Sequence, residues 1–411
     1  NQMAEGTEKA IRFQKLQNYI QDLVPTPLIK KIIAVWKAGL LTGLKTSGLN
    51  IFANISHAVT EVTKDIPAVM VDKVSSLFTG KRTKTFTTKG TGSGMTEGLS
   101  KGWEYLKTGF DERNMANKFD YRQVNFGKSP IAKGLQKYEE GIFRLMGMED
   151  QPFYYGAKAR SLYDQGYAAA INKGLKGDAT ESFVKDFVKN PPDEALKLAV
   201  RDAETGVFQN ETMLGEAASA GARKLGAAGD LLMPFRKTPT AVFMETLNYS
   251  PFGVAKSIVQ NIGKGKFDQR QFAEGLGKGL TGTGVFAIGA ELAKKGLITG
   301  SAPSTDKERN QWELEGKKPN SILINGKWRQ VGVLGPAGLT LVVGAGYHNK
   351  LKETGSKTSA LLSTIAGMGK ATVDQTFLKG VSGALNAIND PLRYGNVWFE
   401  NTAGSTVPTI V

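Results

Sequence analysis

The sequence predicts an all-α chain, a multi-helix architecture elongated or bundled, with one small β-hairpin near residues 321–332. Three observations carry this. Capping side chains stand directly before prolines at several points, apolar residues recur at helical rather than alternating spacing, and one Asn-Gly lies between two strand-like runs. Hydrophobic residues at 40% and charged residues at 22% suffice for a packed core, yet 49 glycines are many for a helical chain. Inside a helix each glycine costs about 1 kcal/mol against alanine, so these glycines must act as stops, joints or points of close packing.

The helix starts come first. Thr26-Pro27, Ser129-Pro130, Thr238-Pro239, Ser250-Pro251 and Asp390-Pro391 each place an oxygen side chain before a proline. The oxygen accepts an otherwise orphaned backbone N–H, and proline at the first helical position loses no bond. Pro192 followed by Asp193 and Glu194 marks another start, with acids favouring the helix dipole and a stop at Gly206. The β element is the exception. Ile322-Leu323-Ile324 and Lys327-Trp328-Arg329-Gln330-Val331 flank Asn325-Gly326, and a two-residue turn needs positive φ at both positions.

Four regions follow. Residues 1–78 form an apolar helical segment, and 79–98 read as a flexible basic Gly/Thr-rich linker. Residues 99–229 form an amphipathic helical block, and 230–411 a Gly/Ala-rich helical domain carrying the hairpin. Small residues four apart, Gly39 with Gly43 and Gly275 with Gly279, suit close helix approach. In the last region three uncharged runs stand out, 279–290, 330–349 and 358–369, marked by Gly279, Gly284, Val331, Leu341 and Leu361. Breakers interrupt each run, which makes them packing segments first and membrane-contact segments second. The chain begins at Asn1, which suggests a piece of a longer protein or a processed product.

Chemistry is sparse. With no cysteine, disulfides, thiolate metal sites and thiol catalysis are excluded. The two histidines, His57 and His348, lie in apolar helical surroundings and read as structural. Glycine runs at 90–94 and 275–279 lack the Lys-Ser/Thr ending of a phosphate loop, and paired acids such as Glu139-Glu140 and Glu149-Asp150 read as solvated helix faces. No catalytic, metal or cofactor-binding set emerges, and the chain reads as a non-enzyme. The 53 basic residues outnumber 38 acidic ones, a net charge of +15. That suits non-specific contact with DNA or anionic lipid, through Lys30, Lys31, Lys81, Arg82, Lys84, Arg236 and Lys237.

Several motifs also occur in a characteristic order. They are Leu49–Asn54, Glu149–Tyr154, Leu232–Pro239 (Leu-Met-Pro-Phe-Arg-Lys-Thr-Pro) and Asn248–Gly253 (Asn-Tyr-Ser-Pro-Phe-Gly), then Gly279–Gly284, Gly296–Gly300, Lys318–Ile322 and Val333–Pro336. In this order they resemble a domain near the C-terminal end of very large polyvalent phage proteins. The layout is also similar to that of podophage internal virion, or ejection, proteins. The resemblance covers the chain from about residue 38 onward and passes on no catalytic residues. It implies a protein carried in the virion, inside the capsid or the portal and tail, and delivered into the host. There it would help form a conduit for the genome across the cell envelope. The partners implied are other virion proteins and further copies of the chain, with non-specific DNA and the bacterial membrane as further contacts. The alternative it leaves open is a membrane-inserting or DNA-binding module of a larger protein whose enzymatic domain lies elsewhere.

Overall fold

The structure, a computed structural model, describes residues 26–110, 124–232, 234–262, 267–303, 305–361 and 363–364, with a few isolated positions before 26. Among them are fourteen helices and one two-stranded sheet.

Helices α1 (Leu28–Leu41), α2 (Leu44–Thr63) and α3 (Asp65–Thr79) come first. Gly43, at φ 133°, breaks α1 from α2 in a conformation side-chain-bearing residues rarely adopt. Lys64 separates α2 from α3 although its own dihedrals are helical; Pro67, in the first turn of α3, has no N–H to give the Thr63 carbonyl. The polarity of α2 and α3 is inverted. Their buried positions are mostly polar, among them Asn54, His57, Glu61, Lys64, Asp65 and Asp72, while Ile55, Val59, Ile66, Met70 and Val74 face outward.

The linker expected across 79–98 is corrected by the structure. Residues 81–88 form no regular element and are partly buried, with Lys84, Thr85 and Thr87 enclosed. Helix α4 (Thr91–Thr108) then takes up the glycine-rich stretch. Its buried face is Gly94, Gly98 and Gly102, four residues apart. That ridge lies on α5 (Pro130–Asn172), where Gly94 backs onto the Tyr155 carbonyl and Gly98 onto that of Gln151. Pro152 lies inside α5, leaving the Met148 carbonyl without its usual donor, and Gly102 packs against that carbonyl. The missing side chains let two backbones touch, a gain that offsets poor helix propensity.

Beyond α5 run α6 (Asp178–Lys189), α7 (Asp193–Gly206), α8 (Met213–Leu225), α9 (Ala227–Leu232), α10 (Lys237–Asn248), α11 (Pro251–Ile262), α12 (Gln269–Lys294), α13 (Asp306–Leu314) and α14 (Gly335–Thr354). The starts of α5, α7 and α11 fall where the prolines place them, and Ser129 Oγ accepts from Ala132 N at 3.2 Å. The start of α10 falls earlier, at Lys237, so Thr238 and Pro239 sit inside its first turn. Asp390-Pro391 lies outside the described residues.

Strands β1 (Ser321–Ile324) and β2 (Lys327–Gln330) pair antiparallel, Ile324 opposite Lys327. Asn325 and Gly326 have φ of 50° and 72°, as the two-residue turn requires. A bridge between Ile298 and Ile322 ties the hairpin to the segment after α12.

The uncharged runs at 279–290 and 331–347 pack on each other. Gly289 of α12 backs onto the Leu341 carbonyl, and Gly344 of α14 onto that of Phe286. Val331 is buried, Leu341 and Leu361 are half-buried, and Gly284 is exposed. Gly279 abuts the Val254 backbone of α11. Val331–Thr354 alone among the described helices has the length and hydropathy of a membrane span, and 56% of its apolar window is buried. The first two runs thus pack on each other within the fold, with Leu280 and Ile288 left exposed; of the third run, only 358–361 and 363–364 fall within the described residues. Apolar clusters are small and dispersed: one gathers Ala38, Leu41, Phe143, Met146 and Phe235, another Phe208, Ala241, Val242 and Leu339.

Candidate functional site

At the meeting point of α2, α3, residues 81–88, α5, α7, α10 and α12 the interior is ionic. Four helices contribute charges about one turn apart. Arg270, Glu274 and Lys278 line one side of α12, Arg160 and Asp164 face them from α5, and Glu61, Lys64 and Asp65 come from the α2–α3 junction. Side chains four apart share a helix face, so each helix delivers a short row of alternating charge.

The rows interlock. Lys64 Nζ lies 3.3 Å from Glu61 and 2.9 Å from Asp65. Lys84 Nζ lies 3.0 Å from Asp65, 3.1 Å from Asp164 and 3.6 Å from Glu274. Arg160 pairs with Asp65 through its guanidinium. Arg270 spans Asp164 at 2.9 Å, Asp202 at 3.4 Å and Glu274 at 3.0 Å. The Arg270 Nε atom sits at that last distance without the alignment of a hydrogen bond. Arg201 closes this end, 3.6 Å from both Asp202 and Glu274. At the other end Lys278 reaches Glu61 at 3.2 Å and Glu245 at 2.6 Å, and the Tyr249 hydroxyl donates to Glu61 at 2.7 Å. His57 is fully enclosed, stacked 4.4 Å from the Phe208 ring, with Nε2 3.3 Å from the Thr205 carbonyl. A satellite pair lies alongside: Asp72 accepts from Arg82 Nε at 2.7 Å, Thr83 N at 3.0 Å and Gln269 Nε2 at 2.8 Å.

Burial opposes the charges of Glu61, Lys64, Asp65, Glu274 and Lys278, and each survives through its partners. For Glu61, burial pushes upward, but Lys278 and Lys64 outweigh it and hold the carboxyl well below the usual range. Asp65 is likewise held low against burial by Lys64, Lys84 and Arg160. Glu274 is drawn down to about 2 by Arg270 and Lys84, again against burial. Burial would discharge Lys64 and Lys278, yet neighbouring carboxylates keep both ammonium groups above their ordinary value. Burial lowers His57, partly opposed by Glu61, which favours the neutral ring.

His57, Glu61 and Glu245 offer ligand atoms within 4.8 Å of one another, a set that could hold a metal ion. The Lys278 ammonium already bonds both carboxylates, so the cation's place is taken by the protein's own side chain. A cavity of about 270 Å³ opens against the lattice, bordered by Lys256, Ser257, Gln260, Asn261, Thr205 and Arg201. Burial lowers the Lys256 amine, and it donates to Asn248 Oδ1 at 2.8 Å. The lattice itself matches acid to base, so it presents no net charge to a ligand.

The basic residues expected to touch phosphate or lipid are scattered by the fold. Lys30 and Lys81 are exposed, while Lys31 donates to the Phe126 carbonyl at 3.0 Å. Lys237 lies 3.5 Å from Glu211, and Arg82 is committed to Asp72. Two expectations are corrected. Lys84 belongs to the lattice, and Arg236 is buried and paired with Asp230; neither can meet a polyanion without unfolding its surroundings. Glu139 and Asp150 are fully enclosed rather than solvated, and Asn54 Nδ2 donates to Asp150 at 2.7 Å. That bond joins the Leu49–Asn54 and Glu149–Tyr154 motifs, far apart in sequence. Sequence reading missed the lattice because charge at helical spacing ordinarily marks the wet face of a helix.

None of the family models, curated proteins and solved structures compared with this chain matches it.

Proposed function

We propose that this chain is a bacteriophage virion protein, carried in the particle and delivered into the host, where it helps form a conduit for the genome across the cell envelope. It acts by assembly and contact, not by bond-making. The observation that carries the reading is the ionic lattice between glycine-backed helices. Buried ion pairs contribute little net stability, because desolvation consumes most of the attraction. When such helices part, they expose charged faces and bare backbone that water solvates, not apolar surface that aggregates. A chain that must leave a packed particle through a narrow exit and refold beyond it benefits from a core of this kind. The absence of cysteine supports the same reading, since no cross-link can trap an opened chain. So does the ordered set of motifs resembling polyvalent phage proteins.

A second reading, non-specific DNA contact, is favoured by the charge. The lattice is balanced, so the excess of +15 resides elsewhere on the chain. The experiment is mass spectrometry of purified virions and of the same particles after triggered DNA release. The chain is expected in the first and lost from the second. Retention in emptied particles replaces delivery with a fixed structural role, and absence from virions removes the proposal.

A further inference from the structure

The inverted polarity of α2 and α3 leaves an apolar ridge on the outside of the molecule. Ile51, Ile55, Val59, Ile66, Met70 and Val74 are all exposed, at spacings of four and seven, and Leu77 extends the row to the end of α3 with 80% of its surface in water. The row covers about 18 Å of α2, from Ile51, and about 18 Å of α3, to Leu77, at the rise of an α-helix. Soluble surfaces rarely carry so long a run of large apolar side chains without something to cover it.

We propose that this outer face docks on an anionic lipid surface. Its charge pattern selects that occupant. The acids of this stretch, Glu61, Asp65 and Asp72, are all turned inward. Among the described side chains from Gly48 to Thr79, the one exposed charge is Lys73, and exposed Lys81 follows just past the end of α3. An acid-free apolar face with basic residues along and beyond it suits insertion at the headgroup boundary of negatively charged lipid. The inward side meets the other requirement of a lipid-facing element. Its charged groups are paired, with Glu61, Lys64 and Asp65 in the lattice and Asp72 on Arg82 and Gln269. A second copy is a poorer fit: packed ridge to ridge it would present the same acid-free face, and Lys73 would find no acid across the contact. The ridge lies along the surface and does not cross it. Neither residues 279–290 nor 331–347, the runs the sequence singled out, form it, because each is packed against the other.

This deepens the delivery role proposed above and is tested apart from it, on purified protein rather than on particles. The full chain is sedimented with phosphatidylglycerol-containing vesicles and with phosphatidylcholine vesicles at low ionic strength. Because the chain has no cysteine, Met70→Cys and, on α13, Leu314→Cys each accept a single environment-sensitive label. Binding to the anionic vesicles alone is expected, with a blue shift at position 70 and none at 314. A Val59→Glu, Met70→Glu, Val74→Glu variant is expected to bind at least about tenfold more weakly, with an unchanged far-ultraviolet circular dichroism spectrum. Should that variant fail to fold, the contrast between the two labels decides. The proposal is overturned if the wild-type chain stays in the supernatant with anionic vesicles, if the label at 70 does not shift, or if a folded triple variant binds equally well. A concentration-dependent shift at position 70 without vesicles also overturns it, in favour of a second copy. None of these results bears on whether the chain is found in virions.

Discussion

The ammonium of Lys84 lies 3.1 Å from the Asp164 carboxylate and ties the irregular segment after α3 to the C-terminal part of α5, eighty residues away. Both groups are buried, so neither can be rescued by water if the other is removed.

Replacing Lys84 by Met keeps its length and removes its charge, leaving Asp65, Asp164 and Glu274 each with one basic partner fewer in a low dielectric. We expect a loss of about 3–5 kcal/mol in urea unfolding at neutral pH. Adding Asp164→Asn to Lys84→Met should recover part of that loss, giving a double-mutant cycle far from additive. Additive losses would mean that the two groups do not share one network.

Acid should open the lattice late. Glu61, Asp65 and Glu274 titrate below their ordinary values when folded, Glu274 at about 2. A depressed carboxyl contributes stability above its unfolded pKa and loses it as pH falls through the folded one. For these groups the unfolded values are 3.8 and 4.5, so their contribution begins to fade below about pH 4.5, and that of Glu274 is gone near 2 while Asp65 retains part of its own. His57 adds a gentler slope at higher pH: its folded pKa lies below 6.5, so acidification through that range favours the unfolded chain. Urea midpoints from pH 7 to pH 3 should decline slightly at first and then steeply; a collapse complete by pH 6 would contradict this.

Glu139 behaves oppositely. It is 1% exposed, and burial, with Glu140 beside it, pushes its carboxyl up to about 8 against the pull of Lys37. A raised carboxyl favours the folded state fully below its unfolded value of 4.5, and stability is lost as pH rises through 8. Glu139→Gln, which cannot ionise, should therefore match or trail the wild type near pH 5. At pH 9 it should exceed it by something on the order of 2 kcal/mol, read as a difference in thermal midpoint at the two pH values.

The glycine ridge separates packing from propensity. Gly98→Ala puts a methyl group against the Gln151 carbonyl of α5, and we expect a loss of about 1–3 kcal/mol despite better helix propensity. Gly284→Ala, in α12 with open space at its missing side chain, should gain up to about 1 kcal/mol. Chemical denaturation of the two single variants checks both signs, and equal effects would show that the ridge makes no close contact.

Much of the secondary structure was legible. Ser129-Pro130 and Ser250-Pro251 mark true helix starts, and Asn325-Gly326 sits at the turn of the hairpin, because caps and tight turns are decided by neighbours in sequence. Two features were not. Gly94, Gly98 and Gly102 look like a flexible linker until α5 supplies the backbone against which bare glycines are an advantage. The lattice residues Glu61, Lys64, Asp164, Arg270, Glu274 and Lys278 look like ordinary wet helix faces, and Ile55, Val59 and Met70 like ordinary core. Period tells which residues share a face but not which face turns inward, and in α2 and α3 the usual assignment is reversed.

The lattice also orders events during synthesis. Its contributors emerge from the ribosome over a long interval, from His57 to Lys278, and the last helix to appear, α12, brings Arg270 and Lys278. Until then Asp164 lacks one of its two basic partners, and Glu61 and Glu245 lack Lys278. The nascent polypeptide therefore cannot settle domain by domain; its centre closes in one late step, once about two-thirds of these 411 residues have been translated.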